Sequence, residues 1–298
     1  MSQHPFTLTD VFTDRPLAGN PLAVFLDAAG LSDQTMQAIA RELGHSETTF
    51  VLPPRIAKAE WRLRCFTPTA EVFGAGHNAL GAWWVLASKR KIRQRTDAAT
   101  VTVLQELGEG VLPVEISYAR GAVTRVFMTQ SAPSFGPTID DLAGLSEALG
   151  LPARDLNVPG LRPQAVSTGA THLLVPVRSL AALGSVRVEA DRLLSVVRPV
   201  GCQGAYLFTP ETREPDSLAH ARAFFPGVGI VEDPATGSAA GPLAALLAAH
   251  GRLSEGRVAI IEQGDAIGRP SRIEVQVVGD RVRVGGRSVI VAEGVLKL

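Results

Sequence analysis

The segment "VEDPATGSAAGPLAALLAAHG", residues 231–251, decides the fold class. Its acidic pair, Glu232 and Asp233, stands before a proline and a turn of small residues, and eleven almost wholly apolar residues follow Ser238. A helix with no polar face has to be surrounded by protein on every side. The segment therefore predicts a helix at the centre of a domain, with carboxylates near its N-terminal end.

A second segment has the same layout, and short matches link the two halves. Residues 74–91, "GAGHNALGAWWVLASKRK", are apolar in the middle and cationic in the last turn, as a helix C-terminus prefers. "ETTFVLP" (47–53) aligns with "ATHLLVP" (170–176), and "RCFTP" (64–68) aligns with "RAFFP" (222–226). This internal repeat predicts two similar domains that face each other, each a curved sheet wrapped around one apolar helix.

Strand patterns fill most of the remaining chain. In "WRLRCF" (61–66), apolar residues alternate with arginines, and the end of the chain, from "SRIEVQVV" (271–278) onward, reads as a meander with glycine turns. Ser32 can cap a helix that Gly44 ends. Strands dominate and connections are short, so the prediction is an α+β fold with mostly antiparallel sheets, and not a doubly wound sheet.

The predicted domains are residues 1–130, with Glu47 and His77, and residues 131–298, with Asp233. The boundary falls at the Pro/Gly-rich stretch "APSFGPT". Two placements are open for the last strand: it belongs to the second domain or it returns to the first.

Composition limits the classes of partner. The 29 Lys+Arg residues balance 29 Asp+Glu, so the chain has no overall field that attracts nucleic acid or an anionic membrane. No apolar run approaches 18 residues, and the start lacks an apolar core of signal-peptide length. The two cysteines, Cys65 and Cys202, make no disulfide framework. We expect a cytoplasmic protein without nucleic-acid or membrane partners.

Several known motifs fail on their spacing. The glycines of "GAGHNALG" do not follow the dinucleotide-binding pattern, and Ser238 lacks the flanking glycines of a nucleophile elbow. "HSE" (45–47) has no cysteine pair to complete a zinc deaminase site, and the six histidines never fall at metal-ligand spacing. The prediction is therefore no metal and no cofactor.

The residues left for chemistry are three acid–base groups, Glu47, His77 and Asp233. Taken singly, each has an ordinary alternative: a surface carboxylate, a buried core histidine and a helix cap. Taken together, they occupy equivalent positions around the repeated motif. Helix N-termini bind carboxylates well, so two such helices pointing into a crevice between the domains would hold an anionic substrate there, with Ser238 as a hydrogen-bond donor.

These motifs also carry a resemblance to a known family. Five stretches resemble the phenazine-biosynthesis PhzF family in the family's own order, up to about residue 275: "DVFTDRPLAGNPLAVF", "HSETTFV", "RCFTPTAEVFGAGHNALG", "RAFFPGVGIVEDPATGSAAGPLAALL" and "IEQGDAIGRPSRI". The resemblance implies the diaminopimelate epimerase-like fold and a homodimer. It also implies isomerisation of trans-2,3-dihydro-3-hydroxyanthranilate without cofactor or metal.

By motif position, the resemblance makes Glu47 the group that moves the proton. Residues that bind substrate or assist proton movement are then Gly76, His77, Asp233, Gly237 and Ser238, with Ser46 and Asn20 as weaker matches. Related epimerases place one thiol at the head of each central helix. Ala75 and Asp233 stand at those positions here, which excludes a two-thiol epimerase. Gly74 replaces a common aromatic and leaves the substrate open.

The sequence thus predicts a cofactor-independent isomerase that moves a proton between carbons of a small unsaturated or cyclic carboxylate. Glu47, His77 and Asp233 are its predicted catalytic residues. Two alternatives stay open. One is a non-catalytic metabolite-binding protein on the same scaffold. The other is an epimerase that uses Glu47 and Asp233 on opposite faces of its substrate.

Overall fold

The computed structural model of the chain forms two compact units. It describes residues 2–74, 76–92, 99–108, 110–140 and 142–298. Unit 1 comprises Met1–Thr129 with Gly285–Leu298, and unit 2 comprises Gln130–Val284. Ala75, which aligns with a thiol position of related epimerases, lies outside the described residues.

Unit 1 contains nine strands and two helices within the described residues. The strands are β1 (Gln3–Val11), β2 (Asn20–Phe25), β3 (Glu47–Leu52), β4 (Trp61–Phe66), β5 (Glu71–Val72), β6 (Thr100–Leu107), β7 (Gly110–Ala119), β8 (Ala122–Thr129) and β18 (Ser288–Lys297). The helices are α1 (Asp33–Leu43) and α2 (His77–Ser88).

The apolar helix α2 is the centre of unit 1. Ten of its twelve residues are buried, and strands β1, β2, β3, β7, β8 and β18 all contact it. Gly81 lets two of these strands come close, since a Cβ there would lie 2.6 Å from Leu22 Cδ2. The structure confirms the predicted buried apolar helix, but the helix is shorter than predicted. Helix α2 ends at Ser88, so Lys89 and Lys91 lie past its last turn.

Helix α1 packs on a second apolar cluster of unit 1. Ser32 caps it by accepting the Thr35 N–H, and Gly44 ends it in the left-handed conformation, as predicted. Its buried residues pack against Phe25, Phe50 and Phe66. Strand β18 completes the unit by pairing antiparallel with β1 along its whole length.

Unit 2 contains nine strands and five helices within the described residues. The strands are β9 (Ser134–Thr138), β10 (Gln164–Ser167), β11 (Thr171–Pro176), β12 (Ala205–Thr209), β13 (Ala219–Phe225), β14 (Ile230–Asp233), β15 (Ala259–Gln263), β16 (Ser271–Val278) and β17 (Arg281–Gly286), whose last two residues belong to unit 1. The helices are α3 (Leu142–Leu149), α4 (Ala153–Leu156), α5 (Leu180–Ser185), α6 (Ala190–Val197) and α7 (Gly237–Ala249).

Helix α7 has the same place in unit 2 that α2 has in unit 1. Ten of its thirteen residues are buried, and it contacts β10, β11 and β16. The shorter helices α3, α5 and α6 form a separate core with residues of β11 and β12, such as Leu173 and Leu207. The stretch "APSFGPT", taken as a boundary, in fact carries strand β9, which pairs antiparallel with β10.

The predicted repeat reappears as the same ion pair in each unit. Arg64 on β4 donates two hydrogen bonds to Glu71 and lies over the Phe66 ring. Arg222 on β13 donates two to Glu232 and lies over the ring of Phe224. The matches "RCFTP" and "RAFFP" therefore encode one local structure, in which a bidentate arginine joins its strand to the paired strand that precedes the central helix.

The structure and the sequence agree on the fold class. Each unit combines a mostly antiparallel sheet with a buried apolar helix, which confirms the predicted α+β class. Of the helices that the structure describes, none combines the length and the apolar character needed to cross a membrane.

Candidate active site

In unit 1, Glu47 and His77 meet at the head of the central helix. Glu47 is the first residue of β3, and His77 is the first residue of α2. The Oε2 atom of Glu47 lies 3.6 Å from the Nδ1 atom of His77. The Glu47 side chain is 19% exposed and the His77 side chain is 8% exposed, so the carboxylate is the more accessible member of the pair.

Ser46 contacts the other nitrogen of the imidazole, and Asn20 holds Ser46. The Ser46 hydroxyl donates to Asn20 Oδ1 over 3.0 Å, and its oxygen lies 3.4 Å from His77 Nε2. Since the hydroxyl hydrogen is directed to Asn20, the contact with His77 requires Nε2 to be the donor. This tautomer leaves the lone pair of Nδ1 facing Glu47. The structure thus brings Glu47, His77, Ser46 and Asn20 into one group.

Burial keeps the His77 imidazole neutral. Loss of solvent around the ring lowers the pKa of His77 from 6.5 to about 3. The imidazole is therefore uncharged across the neutral range, and it can accept or donate a hydrogen bond without taking up a second proton.

Gly76 is the N-cap of α2, and its N–H group donates to the Oδ1 atom of Asn78. Asn78 Oδ1 also accepts from the Ala79 N–H, and its Nδ2 donates to the Gly74 carbonyl. Asn78 therefore fixes the turn that carries Gly76 and His77. Sequence reasoning missed it, although an asparagine in the first turn of an otherwise apolar helix is a usable signal.

In unit 2, Asp233 ends β14 just before α7. It is 5% exposed, and its Oδ2 atom accepts a hydrogen bond from the Thr236 hydroxyl over 2.5 Å. The N-cap of α7 is Thr236 and not Asp233, so the alternative in which Asp233 caps the helix is wrong. Glu232, the other member of the acidic pair, is held by Arg222 in the repeated ion pair and is a structural residue.

Gly237 and Ser238 open helix α7. The first N–H groups of a helix have no acceptor within it and carry partial positive charge, so this end suits an anion. Ser238 is only partly buried, in contrast to its buried neighbours Gly237 and Ala239. Gln130 holds this turn, since its Nε2 donates to the carbonyl of Gly237.

The two cysteines cannot act as a thiol pair. Both are free and buried. Burial raises the pKa of the Cys65 thiol well above its usual range and that of Cys202 to about 11. Neither thiol ionises near neutral pH, in agreement with the expectation that this chain is not a two-thiol epimerase.

A metal centre was not predicted from the sequence. Within the part of the chain that the structure describes, no three His, Cys, Asp or Glu side chains converge as metal ligands would.

Comparison with known proteins places this chain in a family. Residues 9–294 match the profile of the phenazine biosynthesis-like protein family. An uncharacterized isomerase of Clostridium acetobutylicum is 35% identical over 300 residues, which cover 97% of this chain and 96% of the relative. The trans-2,3-dihydro-3-hydroxyanthranilate isomerase of Pseudomonas chlororaphis is 35% identical over 300 residues, which cover 99% of this chain and 100% of that enzyme.

A solved structure agrees with these relatives. The crystal structure of the Bacillus anthracis phenazine biosynthesis protein of the PhzF family superimposes with a TM-score of 0.90 at 29% identity, and the match covers 100% of both chains. The profile match, the named relatives and the shared fold lead to one conclusion. This chain belongs to the phenazine biosynthesis-like family and is an isomerase.

Proposed function

We propose that this isomerase moves a proton between two carbons of a small unsaturated or cyclic carboxylate, without a cofactor. The substrate named for the Pseudomonas chlororaphis relative, trans-2,3-dihydro-3-hydroxyanthranilate, is the first compound to test. The observation that carries the proposal is the pairing of Glu47 with a neutral, buried His77 at the head of α2.

Glu47 is the acid and base of the proposed reaction. Its carboxylate removes a proton from an sp³ carbon that adjoins the unsaturated system, and the electron pair of that C–H bond moves into the conjugated system. The carboxyl group exchanges its proton with solvent while it is protonated and then gives a proton to a second carbon, so one C–H bond breaks, one forms and the double bonds shift. Atoms and oxidation level balance without a co-reactant.

His77 accepts a hydrogen bond from Glu47 while Glu47 carries the proton. The imidazole stays neutral at neutral pH, so it does not take the proton from Glu47 permanently. Its Nδ1 lone pair faces Glu47 Oε2 at 3.6 Å and accepts a hydrogen bond when the carboxyl is protonated and the distance shortens. Ser46 and Asn20 keep the ring in that tautomer.

The helix heads and Asp233 bind the substrate in this proposal. Gly237 and Ser238 begin α7 and offer N–H donors to a carboxylate and to charge that develops during the reaction. Gly76, the N-cap of α2, lines the substrate site beside His77, and its own N–H is held by Asn78. Asp233, with the Thr236 hydroxyl on its Oδ2 atom, receives a polar hydrogen of the substrate or relays a proton.

Steady-state kinetics on trans-2,3-dihydro-3-hydroxyanthranilate test the proposal. Positioned proton transfer contributes roughly 10²–10⁴-fold, so Glu47→Gln should lower kcat by that factor and leave KM nearly unchanged. Glu42→Gln, which changes an exposed carboxylate of α1, is the matched control and should keep the wild-type rate.

The form of the product separates the two alternatives. A ligand that binds and is recovered unchanged would identify a metabolite-binding protein, and inversion at one carbon without a double-bond shift would identify an epimerase. Full turnover by Glu47→Gln would remove Glu47 from the acid–base role.

A further inference from the structure

The motif "IEQGDAIGRPSRI", residues 261–273, has no part in the function proposed so far. It covers the end of β15, a turn and the start of β16. Its Gln263 is fully buried, although a side-chain amide is costly to bury without partners. The contacts of Gln263 explain why it is there.

The Gln263 amide is fully engaged by the turn that carries Asp233. Its Nε2 atom donates to the carbonyl of Asp233 over 2.7 Å and to the Thr236 hydroxyl oxygen over 3.0 Å. Its Oε1 atom accepts from the Thr236 N–H over 3.1 Å and from the Tyr206 hydroxyl over 2.9 Å. A flipped amide would place Nε2 against the Thr236 N–H and Oε1 against the Asp233 carbonyl, so one orientation fits.

This orientation decides where the Thr236 hydroxyl points. The hydroxyl oxygen already accepts from Gln263 Nε2, so its single hydrogen is left to donate to the Oδ2 atom of Asp233, 2.5 Å away. Hydrogen bonds run in one direction from Tyr206 to Gln263, and from Gln263 through Thr236 to Asp233. A donor aimed at a carboxylate oxygen favours the ionised form of that carboxyl group.

The rest of the motif holds the same turn from the other side. The Ser271 hydroxyl lies 2.9 Å from the carbonyl oxygens of both Pro234 and Gln263. Gly264 has a left-handed φ of 86°, and a Cβ there would lie 2.5 Å from the Pro234 carbonyl oxygen. The motif therefore packs directly on the backbone that follows Asp233.

We propose that Gln263, backed by Tyr206, is a positioning residue that directs the Thr236 hydroxyl onto Asp233 and so keeps Asp233 oriented and ionised. Its role in turnover rests on the function proposed above for Asp233. Its effect on the ionisation of Asp233 can be measured without turnover. The positioning role of Gln263 and the catalytic role of Asp233 can therefore be tested separately.

The test is an NMR titration of the Asp233 carboxyl carbon in the full-length chain, with the signal assigned by its loss in Asp233→Asn. Thr236→Val and Gln263→Leu should raise the midpoint of that titration by roughly one pH unit, since the first removes the donor to Asp233 and the second removes the amide that directs it. Thr236→Ser keeps the hydroxyl and should therefore titrate with the wild-type midpoint.

Gln105→Leu is the matched control. Gln105 is also a fully buried strand glutamine, but its Oε1 atom accepts from Trp83 Nε1 in unit 1. This variant should leave the Asp233 midpoint unchanged. If Gln263→Leu does not fold, Thr236→Val carries the test, since it removes only the final donor.

An unchanged midpoint in Thr236→Val, or an equal change in Gln105→Leu, would overturn the proposal. The low-pH limb of kcat/KM should move with the NMR midpoint. If the midpoint moves as expected while Asp233→Asn retains full turnover, the positioning role stands and the catalytic role proposed for Asp233 fails.

Discussion

The buried carboxylate of Glu262 gives a prediction with a calculable size. Glu262 Oε1 accepts from the Glu214 N–H, and its Oε2 accepts from the Arg213 N–H and from His220 Nδ1, all within 2.9 Å. Burial raises the pKa of this group, but the hydrogen bonds from His220, Arg213 and Glu214 outweigh burial and lower the pKa from 4.5 to about 2. Glu262→Gln removes the charge that these donors stabilise.

The size follows from the change in pKa between the unfolded and folded states. A shift from 4.5 to about 2, at 1.36 kcal/mol for each pKa unit, corresponds to about 3 kcal/mol of folding free energy. Because the folded-state pKa is lowered, this stability is complete above pH 4.5 and is lost as the pH falls toward 2. We therefore expect Glu262→Gln to be about 3 kcal/mol less stable than wild type at pH 7 and less than half as destabilised at pH 3.

Urea unfolding followed by circular dichroism measures the difference in unfolding free energy between Glu262→Gln and wild type at each pH. The control is Glu214→Gln, an exposed carboxylate of the same loop whose backbone N–H still reaches Glu262. It should stay within about 0.5 kcal/mol of wild type. Equal stability of Glu262→Gln and wild type at pH 7 would refute this account of the loop. A stability difference at pH 3 as large as that at pH 7 would refute it as well.

Two further predictions concern unit 1. The imidazole signals of His77 should show no protonation step between pH 5 and 9, since burial lowers the pKa of His77 to about 3, and an NMR midpoint near 6.5 would contradict the buried site. Gly81→Ala should lower the unfolding free energy by about 1–3 kcal/mol, because its Cβ would lie 2.6 Å from Leu22 Cδ2 and 2.7 Å from Val11 Cγ2. Gly184→Ala, where a Cβ meets nothing within 4 Å, is the control and should not destabilise; similar losses in both variants would show that the close approach at Gly81 is unimportant.

Local patterns in the sequence predicted most elements of the fold. The cap at Ser32, the stop at Gly44 and the alternation of "WRLRCF" depend on neighbouring residues, and the structure confirms each. The absence of a polar face predicted the burial of α2 and α7 because a wholly apolar helix has no alternative environment. Strand β9 was missed because all its residues are exposed and two are Gly and Pro.

The site could be predicted only in part. Its motif residues are near each other in the chain or belong to the repeat, whereas Gln263 reaches Asp233 from thirty positions away through the pairing of strands. Gln130 likewise meets Gly237 from a distant segment. No periodicity or spacing marks such partners. The homodimer, the cytoplasmic location and the absence of a cofactor stay predictions.

The transfer of a proton by Glu47 is the central claim, and solvent-deuterium incorporation tests it most directly. Trans-2,3-dihydro-3-hydroxyanthranilate is incubated with the enzyme in heavy water, and NMR locates the deuterium in the product. We predict deuterium at the newly formed C–H position with wild-type enzyme, and a rate of incorporation roughly 10²–10⁴-fold lower with Glu47→Gln, which still binds the substrate. Deuterium at that carbon at the wild-type rate in Glu47→Gln would contradict the account.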